Sequence, residues 1–318
     1  YGIELSTETI SLTNALNRVL ATGVVAKVDD PGFDNSSMDG FAVLHSDTLK
    51  APTKLSIVGV SNAGTPEQPS IEKGEALRIM TGGPMPIGAD SIIPIELCNI
   101  EGDEVILQEP SKPNYVRKKG ENFTQQQELF SAGTIMSPEK ICLCAAAGIS
   151  EVTVYKKLKI AVISTGDELK NLGDELTFGQ IYESNSYGLK SLVEMYGHKA
   201  TRFPYVIDDI NVLRDTLDDA AKDFDCIITS GGVSMGDRDF VRIIMEQEGE
   251  IKFWRVKMRP GSPPIFGLWN GTPIFGLPGN PVSSHVVFRA IVGKWLTALT
   301  NTPDSVSYTH LRAHETVG

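Results

Sequence analysis

Two glycine-rich loops carry the residues best suited to chemistry. Ser164-Thr-Gly-Asp-Glu168 follows an apolar run, and Ser230-Gly-Gly-Val-Ser-Met-Gly-Asp-Arg-Asp239 follows another. A Gly-Gly turn lets backbone approach a ligand closely, and its N–H groups can form a nest for an anion at the start of the next helix. Asp237 and Asp239 would then offer hard oxygen ligands to a cation such as Mg²⁺, which commonly bridges protein carboxylates and ligand phosphates. The plainer reading makes Asp237 the cap of the helix carrying Phe240, Ile243 and Ile244. The spacing is neither that of the dinucleotide fingerprint nor that of a P-loop, since no Gly-Lys-Ser/Thr follows.

Two further segments are dense in polar or rigid residues. Phe33-Asp-Asn-Ser-Ser-Met-Asp-Gly40 stands just before Phe-Ala-Val and would ordinarily be an exposed turn, because such a run is costly to bury. Met258-Arg-Pro-Gly-Ser-Pro-Pro264 and Gly276-Leu-Pro-Gly-Asn-Pro-Val-Ser283 are stiff Pro/Gly loops suited to holding a charged ligand or to simple strand reversal. Basic residues gather at Arg238, Arg255, Lys257 and Arg259, and again at Arg117-Lys-Lys119. Either cluster could meet an anion, though solvated charge is the ordinary role of such residues. His45, His198 and His285 sit in no catalytic context, so a nucleophilic triad is not expected.

The elements that must hold these loops differ between the two halves of the chain. Residues 40–110 read as closely spaced strands (54–60, 75–80, 91–95 and 104–107) punctuated by Gly/Pro turns, which suggests a small β-barrel or sandwich. Helices are expected over 11–20, where Leu12, Ala15, Leu16 and Val19 share a face, and from Ser137-Pro138 to Gly148. From about residue 156 strands and helices alternate. Strands are expected at 159–164, 226–230, 253–258, 264–266 and 273–277, with helices over 186–197, 209–224 and 282–299. That pattern predicts an open α/β sheet with helices on both faces and ligands beyond the carboxyl ends of its strands. The expected organisation is a mixed helical and strand domain (1–40 and 111–155), an inserted β domain (41–110), the α/β domain (156–300), and a tail (301–318). The tail has no period and reads as foreign or disordered, so His310 and His314 are not taken as metal ligands.

Composition narrows the classes. The 318 residues carry 29 Lys+Arg against 40 Asp+Glu, a formal charge of −11 that argues against a general nucleic-acid binder. No apolar run approaches the roughly 20 residues of a membrane span, and the opening residues lack the pattern of a signal peptide. Four Cys form neither a disulfide framework nor a metal-ligand spacing. A soluble, cytoplasmic protein is expected.

Five motifs, in order, resemble one family. They are Asp34-Asn-Ser-Ser-Met-Asp-Gly-Phe-Ala-Val43, Met80-Thr-Gly-Gly-Pro-Met-Pro86, Ser164-Thr-Gly-Asp-Glu-Leu169, Gly231-Gly-Val-Ser-Met-Gly-Asp237 and Gly276-Leu-Pro-Gly-Asn-Pro-Val-Ser283. The set resembles the MoeA molybdopterin molybdenumtransferases, relatives of the gephyrin E domain, over about residues 1–300. The resemblance implies insertion of molybdate into adenylylated molybdopterin with release of AMP and a need for Mg²⁺. It also implies a MogA-like molybdopterin-binding α/β domain and an elongated homodimer with its site between subunits. A molybdopterin adenylyltransferase would be the upstream partner. It assigns polar site roles to Asp39, Thr81, Glu168, Asp209 and Asp239, and places Gly231, Gly232 and Ser234 on the phosphates. Pro278 and Pro281 would shape their loop, Arg117 and Arg259 would meet the ligand, and Asp209 would join Asp237 and Asp239 at the metal. The chain departs from the family at Asn122, where an Asp is common, and at Arg259 and Ser262, where Lys is common. It also lacks the family's usual C-terminal β domain, as expected of a truncated chain. Adenylyl transfer, or a non-catalytic gephyrin-like scaffold, is the alternative reading.

Overall fold

The computed structural model describes residues 3–236 and 238–300. The expected tail and Asp237 lie outside the described residues.

The α/β half is built on one six-stranded sheet. Its order is Lys199–Arg202, Lys159–Ser164, Cys226–Ser230, Thr272–Leu277, Ile265–Trp269 and Glu250–Trp254. The first four strands are mutually parallel; Ile265–Trp269 runs antiparallel to both its neighbours, so Glu250–Trp254 points the same way as the first four. Alternation along Lys159–Ser164 explains why both faces must be covered. Ile160 and Val162 join one core cluster, with Leu189, Leu192 and Val193 of helix α2 (Asn185–Met195). Ala161 and Ile163 join the other, with Leu213 and Leu217 of α3 (Ile210–Asp223) and Val241 and Ile244 of α4 (Phe240–Gln247). A strand buried on both sides reads as the continuous apolar run seen in the sequence.

One edge of the sheet is antiparallel, where strand–helix alternation by itself would favour parallel strands. Asn270 and Gly271 both have positive φ (48° and 83°), the backbone of a type I′ turn, and they close a two-residue hairpin. The strand expected over 253–258 lies instead at Glu250–Trp254, because Arg255 takes a left-handed φ of 70° and ends it. The expected final helix consists of α5 (Pro281–Val287), a π-helical turn (Phe288–Val292) and α6 (Gly293–Leu299). Val287, Phe288, Val292 and Leu296 all reach the same core cluster through that wider turn.

The inserted module is a second six-stranded sheet. Its order is Ser91–Pro94, Gly40–Val43, Glu75–Ile79, Thr53–Ser61, Glu104–Leu107 and Cys98–Glu101, with Thr53–Ser61 and Glu75–Ile79 parallel. Phe41, Val43 and Leu55 pack on one side, and Ala42, Ile79 and Ile92 belong to a separate cluster. Thr7–Ser11, ahead of both sheets in sequence, pairs antiparallel with Glu151–Tyr155, which lies between them, over a core shared with the helix α1 (Pro138–Ala146) region. The helix expected over 11–20 does not form. Only Leu12–Asn14 makes a 3₁₀ turn, Asn17 is left-handed (φ 58°), and Val19 and Leu20 bridge to Ile135 and Val154. A ten-residue helix is too short to resist such pairing.

Candidate functional site

A cavity of about 460 Å³ opens at the carboxyl ends of the central parallel strands. Ser164 and Ser230 end adjacent strands in register, and Thr165 donates its N–H to the Ser230 carbonyl at 3.0 Å. The two glycine loops therefore leave the same sheet edge, as ligand-binding loops of open α/β sheets do. Gly231 has a φ of 101°, and a Cβ there would lie 2.6 Å from the Thr165 carbonyl oxygen, so only glycine lets the loops meet. At Gly166, a Cβ would lie 2.5 Å from Glu168 Oε2, because the Glu168 carboxylate folds back over that backbone.

The cavity gathers much of the expected α/β set. Glu168, Gly231, Gly232, Ser234, Asp239, Pro278 and Pro281 all line it. Asp239 also accepts the Gly236 N–H at 2.5 Å, closing the loop on itself. Arg259 is exposed and does not line this cavity. Asp209 has other work: its Oδ1 accepts the Asn211 and Val212 N–H groups at 2.8 and 3.1 Å, capping α3. Its neighbour Asp208 lines the cavity instead.

Among the cavity residues that escaped sequence reasoning, Glu183, Asn185 and Asp208 carry the most polar chemistry. Glu183 is buried and accepts from Ser164 Oγ (2.8 Å), Ser186 N (2.8 Å), Ser186 Oγ (2.6 Å) and Arg202 Nη2 (3.1 Å). Burial alone would raise its pKa, but the Ser186, Ser164 and Arg202 hydrogen bonds outweigh it and hold the carboxyl below its ordinary value. The Arg202 guanidinium is in turn stacked on Tyr187 at 3.2 Å from the ring centre. Asn185 donates to Ser230 Oγ (2.7 Å) and the Gly279 carbonyl (2.8 Å), tying α2 to both Gly/Pro loops. The sequence signal was Tyr182-Glu-Ser-Asn-Ser186, a polar run before an amphipathic helix, which reads as capping alone. Asp208 has a raised pKa, through burial first and then the charges of Asp167 and Glu168. Arg238, which also lines the cavity and lies 3.7 Å from Asp167, offsets part of this charge, and the carboxylates at this end still outnumber it.

The other expected residues form a separate cluster on the inserted module. Asp39 Oδ1 accepts both the Thr81 N–H (2.7 Å) and its hydroxyl (2.8 Å), and these bonds hold its carboxyl below the ordinary value. Asp34 accepts from Lys118 Nζ and the Lys119 N–H, each at 2.8 Å, while Arg117 pairs beside Asn35 with its side chain exposed. The segment before Gly40 is not a simple exposed turn. Asn35 and Ser36 are buried, and Ser36 and Ser37 bond to the carbonyls of Met38 and Tyr115. Asn122 donates to Asp30 Oδ2 at 2.8 Å, a bond that a carboxylate in its place could not make while ionised. Asp39, Thr81 and Arg117 do not line the α/β cavity.

Residues 2–148 match the family model described as MoeA N-terminal region (domain I and II), and residues 161–298 match that described as probable molybdopterin binding domain. The molybdopterin molybdenumtransferase of Haemophilus influenzae is 38% identical over 288 residues, covering 90% of this chain and 71% of the relative. That of Nostoc sp. is 37% identical over 295 residues, covering 90% and 68%. The crystal structure of the molybdopterin biosynthesis MoeA protein from Pyrococcus horikosii superposes with a TM-score of 0.81 at 31% identity, over 95% of this chain and 77% of that one. The shared fold, the two family models matched in order and identity above 30% over nine-tenths of the chain establish that this chain belongs to the MoeA family of molybdopterin molybdenumtransferases.

Proposed function

We propose that this chain inserts molybdate into adenylylated molybdopterin and releases AMP, in molybdenum cofactor biosynthesis. The observation that carries the reading is the cavity itself, where a Gly-Gly loop, its Gly231 N–H spent on the Leu277 carbonyl but its Val233 and Ser234 N–H groups without a protein acceptor among the described residues, faces carboxylates across the ends of parallel strands. Loop donors suit the pyrophosphate of an adenylylated pterin. Adenylyl transfer would use only the α/β half, whereas the similarity spans the inserted module and its Asp34–Asp39 segment as well.

The donor chemistry fits Mg²⁺. Hard carboxylate oxygens carry excess negative charge there, and Mg²⁺ usually takes one or two carboxylates with substrate phosphates and waters as its other ligands. Among the described residues no three His, Cys, Asp or Glu form a metal-binding group, so substrate phosphate and water would have to supply most of the cation's ligands. Asp208 and Asp239 would hold it, with Asp237 from the sequence motif and Asp208 standing where Asp209 was expected. The cation would offset charge developing on the phosphoryl oxygens.

The reading includes a homodimer. Asp39 and Thr81 form a rigid pair away from the cavity, and the Asp34–Asp39 segment of one subunit would complete the other's site. A molybdopterin adenylyltransferase would supply the anionic pterin nucleotide, and the reaction belongs in the cytoplasm. No helix among the described residues is long and apolar enough to cross a membrane. Incubation with adenylylated molybdopterin, Mg²⁺ and molybdate should give molybdate-dependent AMP. Folded protein that releases none would overturn the reading.

A further inference from the structure

The loop from Gly231 to Gly236 is held from behind. Trp254 Nε1 donates to the Val233 carbonyl at 3.2 Å, and the Arg242 backbone N–H donates to the Gly232 carbonyl at 3.0 Å. The Arg242 guanidinium reaches the Gly236 carbonyl at 3.4 Å and Glu246 at 2.8 Å, while its Nε is buried with no partner. Its Cζ lies 5.6 Å from the centre of the Trp254 ring, and Arg255 lies 5.2 Å from the same ring. Neither Trp254 nor Arg242 lines the cavity, although Gly232, Val233, Ser234 and Gly236 do.

A trans peptide points its C=O and N–H in opposite directions. Holding the Gly232 carbonyl on Arg242 therefore turns the Val233 N–H the other way. Holding the Val233 carbonyl on the Trp254 indole does the same for the Ser234 N–H. Among the described residues neither N–H has a protein acceptor. We infer that Trp254 and Arg242 are positioning residues for an oxyanion: they draw the loop's carbonyls back, so that the Val233 and Ser234 N–H groups present themselves to phosphate oxygens in the cavity. Gly-Gly supplies the backbone freedom, and the tryptophan selects which way the peptide faces. The inference rests on reading this cavity as the phosphate site, and it goes further by naming what orients the donors.

The test is Trp254→Phe, which keeps an aromatic ring beside the two arginines and removes the indole N–H together with the five-membered ring that bears it. Binding of AMP and of inorganic pyrophosphate, each with Mg²⁺, is measured by calorimetry, with adenosine as the uncharged control. Loss of one orienting hydrogen bond should weaken both anions about tenfold and leave adenosine unchanged. Equal anion affinity in folded Trp254→Phe and wild type would overturn the inference while leaving the cavity reading intact. If the wild type binds neither anion, the cavity reading fails and takes the inference with it. Should the variant not fold, the wild type still decides. An anion on the Ser234 N–H polarises that peptide's carbonyl and strengthens its bond to the indole. The Trp254 indole ¹H–¹⁵N cross-peak, assigned by elimination with Trp269→Phe and Trp295→Phe, should then move with pyrophosphate and not with adenosine. A cross-peak indifferent to pyrophosphate overturns the inference.

Discussion

Carboxylates in one small region repel each other unless something compensates them, and the cavity shows two solutions. Glu183 is fully engaged by hydroxyls, an N–H and a guanidinium, so it can stay ionised without a ligand. Asp208, Glu168 and Asp239 have no such shell of donors, and the pKa of Asp208 is raised, by burial first and then by the charges of Asp167 and Glu168, with Arg238 offsetting part of the effect. Asp239→Asn should therefore reduce Mg²⁺-dependent AMP release by at least tenfold, since an amide cannot replace a carboxylate at a hard cation. Its thermal midpoint should stay within about 2 °C, because a loop residue of this kind supports little core. Unchanged magnesium dependence of AMP release would remove Asp239 from the metal. Glu183→Gln should behave oppositely. It strips charge from a buried network that Arg202 completes, and should cost on the order of 3 kcal/mol of stability in denaturant titrations.

The turns, more than the strands, decide where side chains end up. Gly231→Ala would have to keep a φ of 101° while its methyl met the Thr165 carbonyl, so it should destabilise by about 1–3 kcal/mol and disturb the cavity mouth. Denaturant midpoints and AMP binding would report both effects. A second junction responds to pH. His198, in the turn after α2, accepts the Leu158 N–H at 3.2 Å on Nδ1, just before the first strand of the α/β sheet. Burial, and then Lys157 and Arg18, lower its pKa from 6.5 to about 4. The folded state thus binds fewer protons than the unfolded chain between those values. The stability held by neutral His198 is complete above pH 6.5 and is lost as pH falls toward about 4. His198→Phe should flatten that limb of a stability profile while lowering the plateau, since Leu158 N–H loses its acceptor. An unchanged acid limb would show that another group controls it. At this scale the sequence was legible where apolar periodicity was strong, as at Lys159–Ser164 and α3. It misled where partners distant in sequence intervened: residues 11–20 had helical spacing but were captured by Ile135 and Val154. Asn270-Gly271 was a readable hairpin sign, but strand–helix alternation around it argued for parallel strands. Glu183 and Asn185 were hidden because a capping run and a cavity wall use the same residue types.

Across the described molecule, most of the expected site residues fall into two groups, with Asp209 and Arg259 in neither. Glu168 and Asp239 line the α/β cavity, while Asp39 and Thr81 are locked together on the inserted sheet. Asp39 and Thr81 do not line the cavity, so a site that uses both groups would need a second surface brought to it. A homodimer supplies one, if the Asp34–Asp39 segment of each subunit faces the other's cavity. Asp39→Ala and Glu168→Ala alone should each reduce AMP release by a hundredfold or more, as expected when a charged group is removed from a transition-state site. Mixed and allowed to exchange subunits, the two inactive proteins should recover activity. In the heterodimer one composite site draws Asp39 and Glu168 from the two unmutated surfaces, while the other site carries both lesions. At random exchange half the dimers are mixed, and each has one intact site of two, so about a quarter of wild-type turnover should return. A site built within a single subunit predicts no recovery at all, because every site then keeps one lesion. Mass spectrometry of differently tagged subunits would confirm exchange, and absence of rescue after confirmed exchange would reject the shared site.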